Sequence, residues 1–286
     1  MTQEASSIDL PRWLQTPPGR YLLAWEQQRI DAQVADLFGF HALQLGMPEV
    51  DALRANRMPH RWLALAAPPV PGENACADAS ARPPMTMPLH DPAYTPSAAA
   101  ALYCDFDALP FATQSLDLVV LPHTLEFTID PHRTLAEVER VLVPEGRVVI
   151  VGFNPNSLWG LRQWSGRTAQ RLGAVGGAGH LFLPRAGDLI AHRRLADWLR
   201  LLSFEVQSGG FGCYRPALKS EAWLDRCAWM EPAGDRWWPV FGAVYVVNAV
   251  KRVRGMRLIG LARNKLAKPR AAPAVVSHKH RDTEVI

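Results

Sequence analysis

Residues 103–155 read YCDFDALPFATQSLDLVVLPHTLEFTIDPHRTLAEVERVLVPEGRVVIVGFNP, and this stretch decides the fold. It opens on a short strand with an acid, Asp105, on the loop that leaves it. Residues 116–121, LDLVVL, are apolar apart from Asp117 and read as a second strand. Residues 131–142 place Leu135, Val138, Val141 and Leu142 on one helical face. A Pro144-Glu145-Gly146 turn then leads into a third apolar strand over residues 147–152. Strand, helix and strand, with both strands continuously apolar, predict a parallel pair covered on both faces.

Working outward, the upstream chain supplies more of the same kind. Residues 20–38 carry Leu22, Leu23, Ile30, Val34, Leu37 and Phe38 at helical period, with Gly39 as the stop. Residues 41–47 (HALQLGM) read as the first strand, 49–57 as a short helix, and 62–67 (WLALAA) as the second strand. Residues 68–101 are rich in Pro and Ala, cannot form a packed core, and read as a surface insertion.

Downstream, residues 156–184 form a long Gly- and Arg-rich connection. It reads as a lid or an added helix near Trp159 to Leu172. Residues 188–202 are strongly amphipathic. Residues 204–206 and 211–214 suggest a strand broken at Gly209-Gly210, followed by a Trp-rich loop and a last strand over 240–250. The final two strands lack a long helix between them, so an antiparallel pair is expected. The sum is an α/β fold, a doubly wound, seven-stranded, mostly parallel sheet with an antiparallel last strand. The expected organisation is a lead-in and lid helix over 1–38, the sheet domain over 39–250, and a tail over 251–286.

The totals narrow the function classes. The chain has 286 residues and four cysteines, Cys76, Cys104, Cys213 and Cys227, with no CxxC pair. Neither a disulfide framework nor a zinc site is expected, and no metal ligand set is read. The first ten residues have no basic and apolar leader pattern, and no apolar run is long enough to span a bilayer. A cytoplasmic location is expected. The net charge of +4 is uneven, because residues 251–286 hold ten Lys/Arg against two acids. Such a tail is a solvated terminus or a contact for nucleic acid or an anionic membrane.

The run DFDALPF (105–111), the LDLVV strand, RVLVPEGRVVIVGFNP and the terminal strand pair resemble class I S-adenosylmethionine-dependent methyltransferases. More closely, HTLxxxxDPHRxLxExxRVL and GFNPxSxxGLR resemble a small proteobacterial group of that class. The resemblance covers about residues 10–250. It implies S-adenosylmethionine as co-substrate and an unidentified methyl acceptor. It also implies that Asp105 accepts from the adenine amino group, with Phe106 beside the ring. At the first strand the pattern departs from the class. Only Gly46 remains of the usual glycine loop, Gln44 stands where an acid would be, and Pro48 replaces a glycine. The acid that would end the second strand is replaced by Ala66-Ala67-Pro68. Glu49 and Asp51 are acids near enough in sequence to substitute.

The cofactor-binding candidates are therefore Gln44, Gly46, Asp105 and Phe106. His123 leaves the fourth strand at the carboxyl edge, where ligands sit in open α/β sheets, and is the catalytic candidate. Asn154, held extended by Pro155, is the substrate-binding candidate. Each has a plainer reading: Asp105 as a turn cap, His123 as a loop histidine satisfied by backbone, Asn154 as a turn residue. Asp117, His132 and the tryptophans read as structural. The alternative function is a catalytically silent member of the fold that binds a partner or nucleic acid through its tail. A nicotinamide dehydrogenase is disfavoured because no G-x-G-x-x-G follows the first strand.

Overall fold

The computed structural model describes residues 10–66, 101–172, 181–184 and 189–252. The Pro/Ala-rich insertion, Cys76 and nearly all of the basic tail lie outside the described residues. Seven strands form one sheet: β1 (His41–Leu45), β2 (His60–Ala66), β3 (Ala101–Cys104), β4 (Leu116–Pro122), β5 (Leu142–Phe153), β6 (Phe204–Gly212) and β7 (Val244–Lys251). Their order is β3-β2-β1-β4-β5-β7-β6. The first five are parallel, and β7 runs antiparallel to both of its neighbours, β5 and β6. The expected doubly wound sheet with an antiparallel last strand is what the chain forms.

Helices cover both faces. On one side lie α1 (Leu10–Leu14), α2 (Pro17–Val34) and α5 (Leu158–Arg171). Leu22, Ile30 and Val34 of α2 meet Trp13, Trp159, Phe153 and Phe182 there. On the other side lie α4 (Pro131–Val141) and α6 (His192–Leu201), which bury Leu135, Val138, Leu195 and Leu199 against Leu43, Val119, Val148 and Ile150. Between α3 (Thr124–Phe127) and α4 the chain turns at Asp130, whose carboxylate accepts from the His132 and Arg133 amides at 3.0 and 3.2 Å. Pro131 then fits the first helical turn, where its missing N–H costs nothing.

The strands are apolar on alternate faces, as burial on both sides demands. In β5, Val149, Val151 and Phe153 face the first core while Val148 and Ile150 face the second. In β4 the alternation breaks once, because the β4–β5 register shifts between Leu116 and Leu118. Asp117 sits at that irregularity and accepts from the Phe40 and His41 amides at 2.8 and 2.9 Å, the structural role expected of it.

Several expectations are corrected. The N-terminal helix starts at Pro17 and ends at Val34 rather than spanning 20–38. Thr16 caps it, and the α1–α2 corner is tight enough that a Cβ on Gly19 would lie 2.3 Å from the Trp13 carbonyl oxygen. This helix is a core layer of the sheet, not a lid, because its Leu22, Ile30 and Val34 are fully buried.

Residues 49–57 form turns, not a helix. The Gly209-Gly210 pair does not break β6; it pairs with Val247 and Val246, and the irregularity lies between Val206 and Ser208. The Trp-rich segment folds as α7 (Glu221–Arg226), α8 (Met230–Trp237) and a 3-10 turn at Pro239–Phe241. Trp223, Trp229 and Trp237 are exposed there, so they are not packing residues, whereas Trp159 is fully buried as expected. Lys251 belongs to β7 rather than to a tail: it is buried, and its ammonium donates to the Leu142 carbonyl at 3.0 Å and pairs with Glu139 at 2.9 Å.

Candidate active site

Open parallel sheets bind ligands beyond the carboxyl ends of their strands. At the end of β1 the chain turns through two successive left-handed residues, Gly46 (φ 73°) and Met47 (φ 44°). Gly46 donates its amide to the Ala64 carbonyl of β2 at 2.7 Å, which fixes the turn. A Cβ added at Gly46 would meet only ordinary contacts, 3.5 Å from Thr124 Oγ1 and 3.8 Å from the Phe106 ring. It is therefore the backbone angle, not crowding, that calls for glycine here.

Gln44 is fully engaged with this loop. Its amide nitrogen donates to the Met47 and Val50 carbonyls at 2.9 and 2.7 Å, and its oxygen accepts from the Ala52 amide at 3.0 Å. The side chain thus satisfies backbone groups of the turns that follow β1. A role for Gln44 in direct cofactor contact is contradicted, since both ends of its buried amide are taken. It shapes the loop that carries Gly46.

Two strands away, Asp105 leaves β3 exposed. Its Oδ1 accepts from the Asp107 amide at 3.0 Å, so the turn-capping reading holds for one of its oxygens. Phe106, half-buried, lies beside Gly46 and packs on the second core. The structure therefore brings Gly46, Asp105 and Phe106 to one edge. This set fits an adenosyl group: a carboxylate at the surface, an aromatic face, and a glycine turn where backbone can approach closely.

At the end of β4 the picture is different. His123 has a left-handed backbone (φ 53°) and is fully buried. Its Nε2 meets Glu26 Oε1 at 2.5 Å and its Nδ1 meets Glu126 Oε2 at 2.9 Å. The Phe153 ring lies 4.2 Å away, centroid to centroid. Burial alone would pull the imidazole pKa down; the two carboxylates outweigh it and push it up to about 10. His123 is thus an imidazolium at neutral pH with both N–H groups donated, and it has no lone pair with which to take a proton. In this state His123, the catalytic candidate, cannot act as a general base.

Glu126 also accepts from the Phe153 amide, and Glu26 Oε2 is buried without a hydrogen-bond partner. Sequence reasoning missed both glutamates. The signal for Glu26 was present: it interrupts the i, i+4 stripe of Leu22, Ile30 and Val34, where a charge requires a partner.

Asn154, at the end of β5, is buried and tied to the chain before β7. Its amide donates to the Val240 and Gly242 carbonyls at 2.8 and 2.9 Å, and its oxygen accepts from the Asn156 amide at 3.1 Å. This is the turn-residue reading, with the side-chain groups a substrate would need already engaged. Ser157 caps α5 beside it through the Gly160 amide at 3.0 Å.

Beyond Asn154 opens a cavity of about 1350 Å³, lined by α5, the start of α6, Phe211 and the 3-10 turn. A second hollow of about 700 Å³ is lined by residues after β4, including Leu125, Ile129 and His132, and by Arg167, Arg171 and Arg194. Neither hollow includes Gly46, Asp105 or Phe106, so the exposed edge and the cavities are separate parts of the carboxyl side. His132, read as structural, packs its ring against Trp198, 3.9 Å between centroids and tilted by 49°. His192, which sequence reasoning did not select, lines the large cavity; burial and then Arg193 push its pKa down.

A sheet of this order, with the seventh strand inserted antiparallel between the fifth and sixth, is the class I methyltransferase fold. Residues 88–150 match the family described as Methyltransferase domain. An Escherichia coli (strain K12) protein, the uncharacterized protein YafS, is 41% identical over 98 residues, a match covering 34% of this chain and 36% of that protein. A chain from the Haloferax volcanii complex containing the Trm112 methyltransferase activator superposes with a TM-score of 0.52 and 18% identity, covering 86% of this chain and 97% of that one. An S-adenosylmethionine-dependent methyltransferase of Thermotoga maritima gives 0.51 and 17%, covering 85% and 94%. At these identities the likeness to the solved structures is one of fold. Among the described residues, no helix is long and apolar enough to cross a membrane.

Proposed function

We propose that this chain transfers a methyl group from S-adenosylmethionine to an acceptor bound on the carboxyl side of the sheet. The observation that carries the reading is the convergence of Gly46, Asp105 and Phe106 at the ends of β1 and β3, in a sheet of the methyltransferase order. The co-substrate supplies a methyl group already activated on a sulfonium. Asp105 would accept from the adenine amino group through its exposed carboxylate, and Phe106 would cover the ring. Gly46, held by Gln44 and by the Ala64 carbonyl, would give the backbone close approach.

With an activated methyl donor, the protein contributes mainly by alignment, which can supply on the order of 7–11 kcal/mol. The buried pairings of His123 and Asn154 suit alignment, because they hold the ends of β4 and β5 rigid as the floor of the transfer site. Calorimetric titration of the folded chain with S-adenosylmethionine and with its demethylated product tests the reading. Saturable heat is expected for both; folded protein giving none at high micromolar ligand would sink it.

A further inference from the structure

The two hollows beside β4 and β5 differ in chemistry and share Arg167, Leu189 and Arg194. The larger has an apolar wall built from α5 and the 3-10 turn, where Leu161, Trp164 and Phe241 are 59%, 64% and 57% exposed. Apolar side chains gathered along one concavity are the usual lining of a ligand pocket, and about 1350 Å³ exceeds the roughly 300–1,000 Å³ common for small ligands. The smaller is cationic: Arg167 and Arg171 come from the last turns of α5, and Arg194 from the first turn of α6. Arg193 adds a fourth guanidinium on the rim of the larger hollow. The one acid among the described lining residues is Glu126, which is turned inward to His123 and the Phe153 amide.

From this juxtaposition we infer that the acceptor is an anionic amphiphile: a single apolar chain lying against Leu161, Trp164 and Phe241, with a carboxylate or phosphate end held by Arg171 and Arg194. Guanidinium groups suit either anion, because their paired N–H groups match two of its oxygens. The neighbouring apolar wall gives the same molecule a place for its body. The inference rests on the methyltransferase reading for the word acceptor, but the binding site stands on its own residues.

Titration of the full chain with dodecanoate, dodecyl phosphate, dodecanol and dodecyltrimethylammonium, all below their micelle thresholds, tests it. Trp164 and Trp238 line the cavity, so tryptophan fluorescence can report the binding. The two anions are expected to bind about tenfold or more tighter than dodecanol, and the cation weaker than all three. The tighter anion identifies the head group, and either result supports the site. Arg171→Gln with Arg194→Gln should abolish the preference for anions and leave dodecanol affinity unchanged. Trp164→Ala with Phe241→Ala should weaken all four probes. These side chains are exposed, and circular dichroism verifies that the variants fold.

Equal affinity for anion and cation, no saturable binding, or binding only to phosphatidylglycerol vesicles would each overturn the inference. A parallel titration with the demethylated co-substrate separates the two claims. If that ligand binds and dodecanoate does not, the amphiphile site fails while the methyltransferase reading stands. The opposite result sinks the methyltransferase reading and leaves the binding site.

Discussion

The ends of β1 and β3 and the ends of β4 and β5 lie on the same edge of one sheet, yet they are built in opposite ways. At β1 and β3, Asp105 presents an exposed carboxylate beside the half-buried Phe106 ring, and Gly46 makes a left-handed turn whose amide is given to the Ala64 carbonyl. At β4 and β5, His123 and Asn154 are buried, with every side-chain nitrogen donated. The comparison teaches that position at the carboxyl edge is not sufficient for a ligand role. A polar side chain there can contact a ligand only if its hydrogen-bonding capacity is not already used by the fold. By that criterion the exposed Asp105 carboxylate is open to a ligand, whereas the side chains of His123 and Asn154 are committed to the fold.

The contrast can be broken most forcefully at His123. His123→Ala leaves Glu26 and Glu126 buried without their cation, and should cost about 3–5 kcal/mol of stability in chemical denaturation. A loss under about 1 kcal/mol would mean that the network is not what holds β4 to α2.

The same network gives a pH signature. The folded pKa of His123, about 10, lies above its ordinary value of 6.5. Its stabilisation is therefore whole below pH 6.5 and is lost as pH rises through about 10. Melting temperature should fall across that alkaline window, and the fall should shrink in His123→Gln.

At the other end of the edge, Gly46→Val forces a β-branched residue to φ 73°. It should lower stability by about 1–3 kcal/mol and weaken S-adenosylmethionine binding. The smallest effect on the fold is expected at Asp105: Asp105→Ala should leave the melting temperature within about 1 °C while lowering co-substrate affinity by about tenfold. Unchanged affinity would remove Asp105 from the site.

Much of the fold was legible because burial on both sheet faces writes continuous apolar runs: β4 was read to within one residue, but β5 only from Arg147 on, because residues 142–146, which read as a helix end and a turn, already belong to the strand. The turns at 49–57 were not legible, since the Gln44 bonds that hold the Met47 and Val50 carbonyls and the Ala52 amide are made only on folding. Proximity in space, not sequence, likewise decides His123. Glu126 lies three residues away, but Glu26 arrives from α2, ninety-seven residues earlier. The arginines of α5 and α6 were visible as basic residues, but only the packing of α5 and α6 gathers them around one hollow.

The most direct test of the account is an amide NMR titration of the full, isotope-labelled chain with the demethylated co-substrate. Saturable shifts are predicted at Gly46, Asp105 and Phe106, while the His123 ring keeps the nitrogen signature of a doubly protonated imidazolium throughout. Saturable binding that leaves those three amides unmoved, or a His123 ring that is neutral at pH 7, would contradict it.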